Sequence, residues 1–146
     1  MLPRAALATS RNVPAVELLQ RLGLEQGAGF LAELGLHDGE NPGRRYGLGL
    51  AIGGLPTTLE RLVRAYTVLA GDGRLGDLVW FRGQPVAAPR RVLSETAARQ
   101  VTLFLADPMA RLPTFPRMGN LEYPFPVAVK TGTSSGYHDA WTVAYS

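Results

Sequence analysis

The chain has 146 residues, 46% of them hydrophobic and 18% charged, which fits a folded domain with a core and argues against disorder. Its formal charge of +3 comes from scattered arginines, adjacent only at Arg44-Arg45 and Arg90-Arg91, without the basic run of a nucleic-acid motif. Cysteine is absent, which excludes a disulfide scaffold and a thiolate metal site, and no apolar run approaches the ~18 residues of a spanning helix.

In chain order, Pro3 to Ala8 reads as a short helix that stops before Ser10. A second helix is expected to begin near Pro14, with proline tolerated in its first turn, and to set Val16, Leu19 and Leu22 on one face before Gly23. A third, from about Gln26 to Leu34, offers Phe30, Leu31 and Leu34 and ends at Gly35. His37 to Gly47 is polar and rich in Gly and Pro, and reads as a surface loop.

Thr57-x-x-Glu60 is a capping-box signature, and Leu59, Leu62, Val63, Tyr66 and Leu69 follow at helical spacing. Gly71-Asp72-Gly73 ends that helix, Leu75 to Phe81 reads as a strand, and Arg82-Gly83 as a turn. Ser94 and Glu95 start another helix with Val101, Phe104 and Leu105 on its apolar face, closed by Asp107-Pro108. Pro113 to Pro126 is proline-rich and irregular. The last segment is a hairpin: Pro126 to Thr133, turn chemistry at Ser134-Ser135-Gly136, and alternation of Trp141, Val143 and Tyr145 with Ala140, Thr142 and Ala144. Lys130 and Gly132 then project from one face and Thr131 from the other.

Some features carry little functional weight. Gly47-x-Gly49 is followed by Ile52 where a dinucleotide fingerprint wants glycine, so a packing role is assigned to Gly53-Gly54. His37 and His138 lack the paired spacing of a metal site, and Trp141 reads as a core residue.

The chemistry gathers around Lys130. It is the chain's single lysine, all other side-chain cations being arginine, and it opens the run Lys130-Thr131-Gly132-Thr133 in a strand-like segment. A compact ammonium with a tunable pKa does what a flat guanidinium fork does not. A glycine inside a strand is costly unless a ligand or another backbone comes close, so Gly132 reads as room for a substrate chain beside the strand. A second motif is Ser10-Arg11-Asn12, in the bend between the first two helices.

The stretch from Pro3 to Val16, with Ser10-Arg11-Asn12 at its centre, resembles the second active-site motif of the penicillin-binding protein transpeptidase family, and Lys130-Thr131-Gly132-Thr133 resembles the third. Leu48 to Gly54 and Thr57 to Ala70 are similar to that family's glycine-rich segment and the helix after it. The continuation from Thr133 to Trp141 is most similar to the penicillin-binding protein 1C subgroup, so the resemblance covers nearly all 146 residues.

The resemblance implies an α+β serine transpeptidase fold of the penicillin-binding protein and β-lactamase type, with helices packed on an antiparallel sheet. One departure is decisive. The family's first motif, Ser-x-x-Lys, bears the nucleophile, and here the single lysine has Val127 three residues before it, so the motif is absent. Residues 1–146 are therefore expected to be a partial transpeptidase domain, its sheet incomplete and its nucleophile on a missing N-terminal part of the same domain.

By that resemblance the parent cross-links peptidoglycan through an acyl-serine intermediate on the D-Ala-D-Ala stem peptide, and binds β-lactams. Ser10 and Lys130 are implied as catalytic, with Asn12, Thr131, Gly132 and Thr133 binding substrate. No metal, cofactor or nucleic acid is implied. A glycosyltransferase domain is expected in the parent, on the periplasmic face of the inner membrane. Met1 is then an internal methionine, since Met1-Leu2-Pro3-Arg4 lacks the apolar core of a signal peptide. Alternatives are a D,D-carboxypeptidase or serine β-lactamase-like hydrolase, or a non-catalytic binding fragment.

Overall fold

A computed structural model describes residues 1–39, 42–112 and 114–146. Helix α1 (Pro3–Ala8) occupies its predicted span, proline supplying a preset φ in the first turn. Helix α2 (Asn12–Leu22) starts two residues before the expected Pro14, because Arg11 is the N-cap and Pro14 falls where a helical N–H has no partner to lose. Of its predicted apolar face, Leu19 is buried while Leu22 is 51% exposed. Gly23, at φ 98°, ends α2 and begins α3 (Leu24–Glu33).

The expected loop at His37 to Gly47 is corrected. Glu40 and Asn41 lie outside the described residues, but Pro42–Tyr46 form a helix, α4, and Gly47–Ile52 a 3-10 turn, with Pro42 and Gly43 buried. Composition concealed this, since the buried groups there are a proline and a glycine. The glycine pair that follows divides its roles. Gly53 has φ 88° and open space around it, so conformation rather than packing accounts for it; an added Cβ on Gly54 would lie 3.0 Å from the Gly49 carbonyl oxygen.

Helix α5 (Leu59–Ala70) forms, but its cap is one residue later than the predicted box: Thr58 Oγ1 accepts from the Arg61 N–H at 3.2 Å. Thr57 instead donates across to the Leu36 carbonyl at 3.3 Å. Ala65 and Val68 are the buried residues, and Leu59 and Val63 point outward. Leu75 to Phe81 is not a strand. Only Arg74–Leu75 (β1) pair, antiparallel with Arg90–Arg91 (β2), and Val79, Trp80 and Phe81 are exposed. Gln84 supplies what a neighbouring strand would have: its amide oxygen accepts from the Trp80 N–H at 2.8 Å and its NH2 donates to the Leu78 carbonyl at 3.1 Å.

Helix α6 (Glu95–Ala106) is capped by Ser94, whose Oγ accepts from the Ala97 N–H at 3.2 Å. Asp107 ends it and caps α7 (Pro108–Arg111). Pro113 lies outside the described residues; residues 114–126 hold no helix or strand, as predicted. Arg111, 5% exposed, ties that segment down by donating to the carbonyls of Leu105 (2.6 Å) and Leu121 (3.1 Å). The Arg117 guanidinium, with the Met118 N–H, holds the Glu122 carboxyl down at about 2. That bond therefore weakens as pH falls below the ordinary glutamate range and is lost only under about 2.

The predicted hairpin forms from β3 (Ala128–Thr133) and β4 (Ala140–Tyr145), with Lys130 opposite Val143 and Gly132 opposite Trp141. Helix α6 is the hub, packing on α1, α5 and β3. Two clusters stand out in the apolar interior. Leu34, Ala65, Val68 and Leu75 form one, with Phe30 against it; Leu19, Ala28 and Leu50 form the other, with Leu31 against it. Helices over two small antiparallel sheets make the chain α+β, as the resemblance implied.

Candidate active site

The site begins with how α1 ends. Thr9 is its C-cap; the Ser10 N–H returns to the Leu7 carbonyl at 3.2 Å and the Arg11 N–H to the Ala6 carbonyl at 2.9 Å. This pair of bonds is the Schellman closure, whose outer residue must adopt a left-handed conformation and is usually glycine. Here it is Ser10, at φ 53°. A side chain in that region costs roughly 1–2 kcal/mol, so a reason for keeping one is called for.

The reason lies 120 residues away. Lys130 Nζ donates to Ser10 Oγ at 2.6 Å and to the Thr131 carbonyl at 2.5 Å. Lys130 is half-buried on β3, and burial pushes its pKa down from the ordinary lysine value, making the uncharged amine more accessible than on a surface lysine. The serine hydroxyl can pass a proton in either direction, so the pair can relay one between Lys130 and a group placed against Ser10.

Because both lose the hydroxyl, comparing Ser10→Gly with Ser10→Ala isolates the backbone cost. Glycine is expected to be the more stable variant by about 1 kcal/mol in urea unfolding. Equal stability would remove the strain from the account.

The remaining predicted residues divide by position. Asn12 is the exposed first residue of α2, and Arg11, not Asn12, is the N-cap, so its side-chain amide is free of capping duty. On β3, Gly132 alternates onto the face of Lys130, and an added Cβ there would meet nothing within 4 Å. Thr131 pairs with Thr142 on the opposite face, half-buried, and Thr133 is exposed at the strand end. Beyond it the connection is braced by the Ser134 N–H donating to the Asp139 carbonyl at 3.0 Å and the Asp139 N–H donating to Ser134 Oγ at 2.8 Å.

Two contributions escaped the sequence reading: the left-handed turn at Ser10 and the Thr131 carbonyl as second acceptor for Lys130. The first had a signal, a helix ending at Ala8 without a following glycine; the second, a backbone contact, had none. Among the described residues no cluster of His, Asp or Glu is gathered to hold a metal, and no helix is long and apolar enough to cross a membrane.

Comparison with known proteins agrees with the family resemblance. The penicillin binding protein transpeptidase domain family matches residues 1–146. Penicillin-binding protein 1C of Escherichia coli (strain K12) is 36% identical over 140 residues, covering 94% of this chain. The chain spans 17% of that relative's length.

Proposed function

Since this chain belongs to the penicillin-binding protein transpeptidase family, we propose that it is the portion of a D,D-transpeptidase domain that supplies the second and third active-site motifs to a serine nucleophile carried elsewhere in the parent. The observation that carries this reading is the 2.6 Å bond between Lys130 Nζ and Ser10 Oγ. It unites two short motifs from opposite ends of the chain, each weak alone.

In this reading the nucleophile attacks the penultimate carbonyl of a D-Ala-D-Ala stem, D-alanine leaves, and an amine of a neighbouring stem resolves the acyl-enzyme. Ser10 shuttles the proton to the leaving amine, and Lys130 balances the negative charge of the terminal carboxylate. Asn12 holds the substrate amide. The open face at Gly132 lets the stem lie along β3, and the Thr133 N–H serves as one oxyanion donor. Thr131 supports the carboxylate through its backbone, its hydroxyl lying on the other face of the strand. A β-lactam enters as a mimic of the same dipeptide. The parent then works on the outer face of the inner membrane in cell-wall synthesis, with a glycosyltransferase domain supplying the glycan.

The test is labelling of the full-length parent with a fluorescent penicillin. Covalent labelling that prior benzylpenicillin prevents is expected; no labelling at all would overturn the reading.

A further inference from the structure

The hairpin that carries Lys130 packs on α6 through β3. Among the described hydrogen bonds, two side-chain pairs fasten it to the helices. One is Lys130 to Ser10 on β3; the other is Tyr145 on β4 to Thr102 on α6, with Oγ1 and OH 3.1 Å apart. Thr102 also donates its single hydroxyl proton to the Ala98 carbonyl at 3.0 Å, which leaves the Tyr145 hydroxyl as the donor between them. The Tyr145 ring is held in turn by an edge-on contact with Tyr66 of α5, centroids 6.2 Å apart.

The register connects this second fastening to the site. Tyr145 lies opposite Ala128, two residues before Lys130 and on the same face, a separation of about 7 Å along the strand. Helix α6, which carries Thr102, is also the helix on which both α1 and β3 pack. One element thus supports the turn that presents Ser10 and the strand that presents Lys130.

We propose that Tyr145 and Thr102 are positioning residues, whose hydrogen bond fixes the height of the hairpin over α6 and so seats Lys130 against Ser10. This rests on the proposed function for its catalytic meaning, while its test does not read catalysis. With the bond removed, the hairpin is free to tilt about the Lys130 end, and Lys130 gains water. Burial is the cause that lowers its pKa, with no charged side chain contributing, so the titration of Lys130 reports its seating directly.

Because Lys130 is the only lysine, lysine labelled with 13C gives this 146-residue chain a single lysine side-chain signal to follow against pH by NMR. In the wild type that signal should titrate below the ordinary lysine value of about 10.4. In Tyr145→Phe, which keeps the ring on Tyr66 and removes only the hydroxyl, the midpoint should move up toward that value, and likewise in Thr102→Val. Thr102→Ser, which retains the hydroxyl, should titrate like the wild type. A bond that only held the fold together would lower the Tm and leave the midpoint in place. Unchanged midpoints in Tyr145→Phe and Thr102→Val, with helical circular dichroism intact, would overturn the proposal, and the two Thr102 variants decide it should Tyr145→Phe not fold. Failure of penicillin labelling in the parent would strike the proposed function alone.

Discussion

Lys130→Arg in the full-length parent is expected to lower the rate of acylation by a β-lactam by about 10²–10³-fold, with folding stability changed by less than ~1 kcal/mol. Nζ sits 2.6 Å from Ser10 Oγ and 2.5 Å from the Thr131 carbonyl, a seat sized for a compact ammonium. A guanidinium is planar and larger, and it does not release its proton in a protein. Arginine therefore keeps the charge but loses both the two-point seat and the exchange of a proton with Ser10. The stability effect stays small because the side chain is only half-buried and its replacement is equally charged. Stopped-flow acylation with urea unfolding separates the two quantities, and unaltered acylation would remove Lys130 from the site. Asn12→Ala should likewise reduce acylation without lowering Tm, because Asn12 does not occupy the N-cap position of α2.

The second large effect is an absence: the 146-residue chain by itself should form no covalent adduct with benzylpenicillin and cleave no D-Ala-D-Ala peptide. The Ser10–Lys130 pair invites the opposite expectation, since a serine beside a lysine of lowered pKa resembles an activated nucleophile. The backbone decides against it. In the proposed mechanism the second oxyanion donor is the nucleophile's own N–H, and the Ser10 N–H is already committed to the Leu7 carbonyl at 3.2 Å. Losing one such donor typically costs ~10²–10³ in rate, and freeing it would undo the helix closure that presents Ser10. Intact-mass spectrometry after incubation with benzylpenicillin reads the outcome, and a stoichiometric mass increase would place the nucleophile within these residues.

How much of this was legible in the sequence depends on whether local chemistry or a distant contact decides each element. The spans of α1 and α6 and the pairing of β3 with β4 were readable, because proline at a first turn, a Ser94 cap, and turn residues followed by the alternation of Trp141, Val143 and Tyr145 are local signals. The strand expected at Leu75 to Phe81 failed because a side chain, Gln84, took over the backbone bonds that a partner strand would have made. The cap expected at Thr57 falls to Thr58 because the Thr57 hydroxyl binds Leu36, far off in sequence.

At the site, residue types pointed to Lys130, Ser10 and the open space at Gly132. What the sequence withheld was geometric. A helix ending at Ala8 without a following glycine marks the left-handed turn at Ser10, but nothing local shows that the Ser10 N–H is spent or that Tyr145 and Thr102 bolt the hairpin to α6.

In the proposed function residues 1–146 hold the proton relay and the substrate strand but not the nucleophile. Peptide mapping of the penicilloyl group in the labelled full-length parent tests it most directly. Acylation is expected at the serine of a Ser-x-x-Lys motif outside these residues. Acylation at Ser10, Ser134 or Ser135 would contradict it.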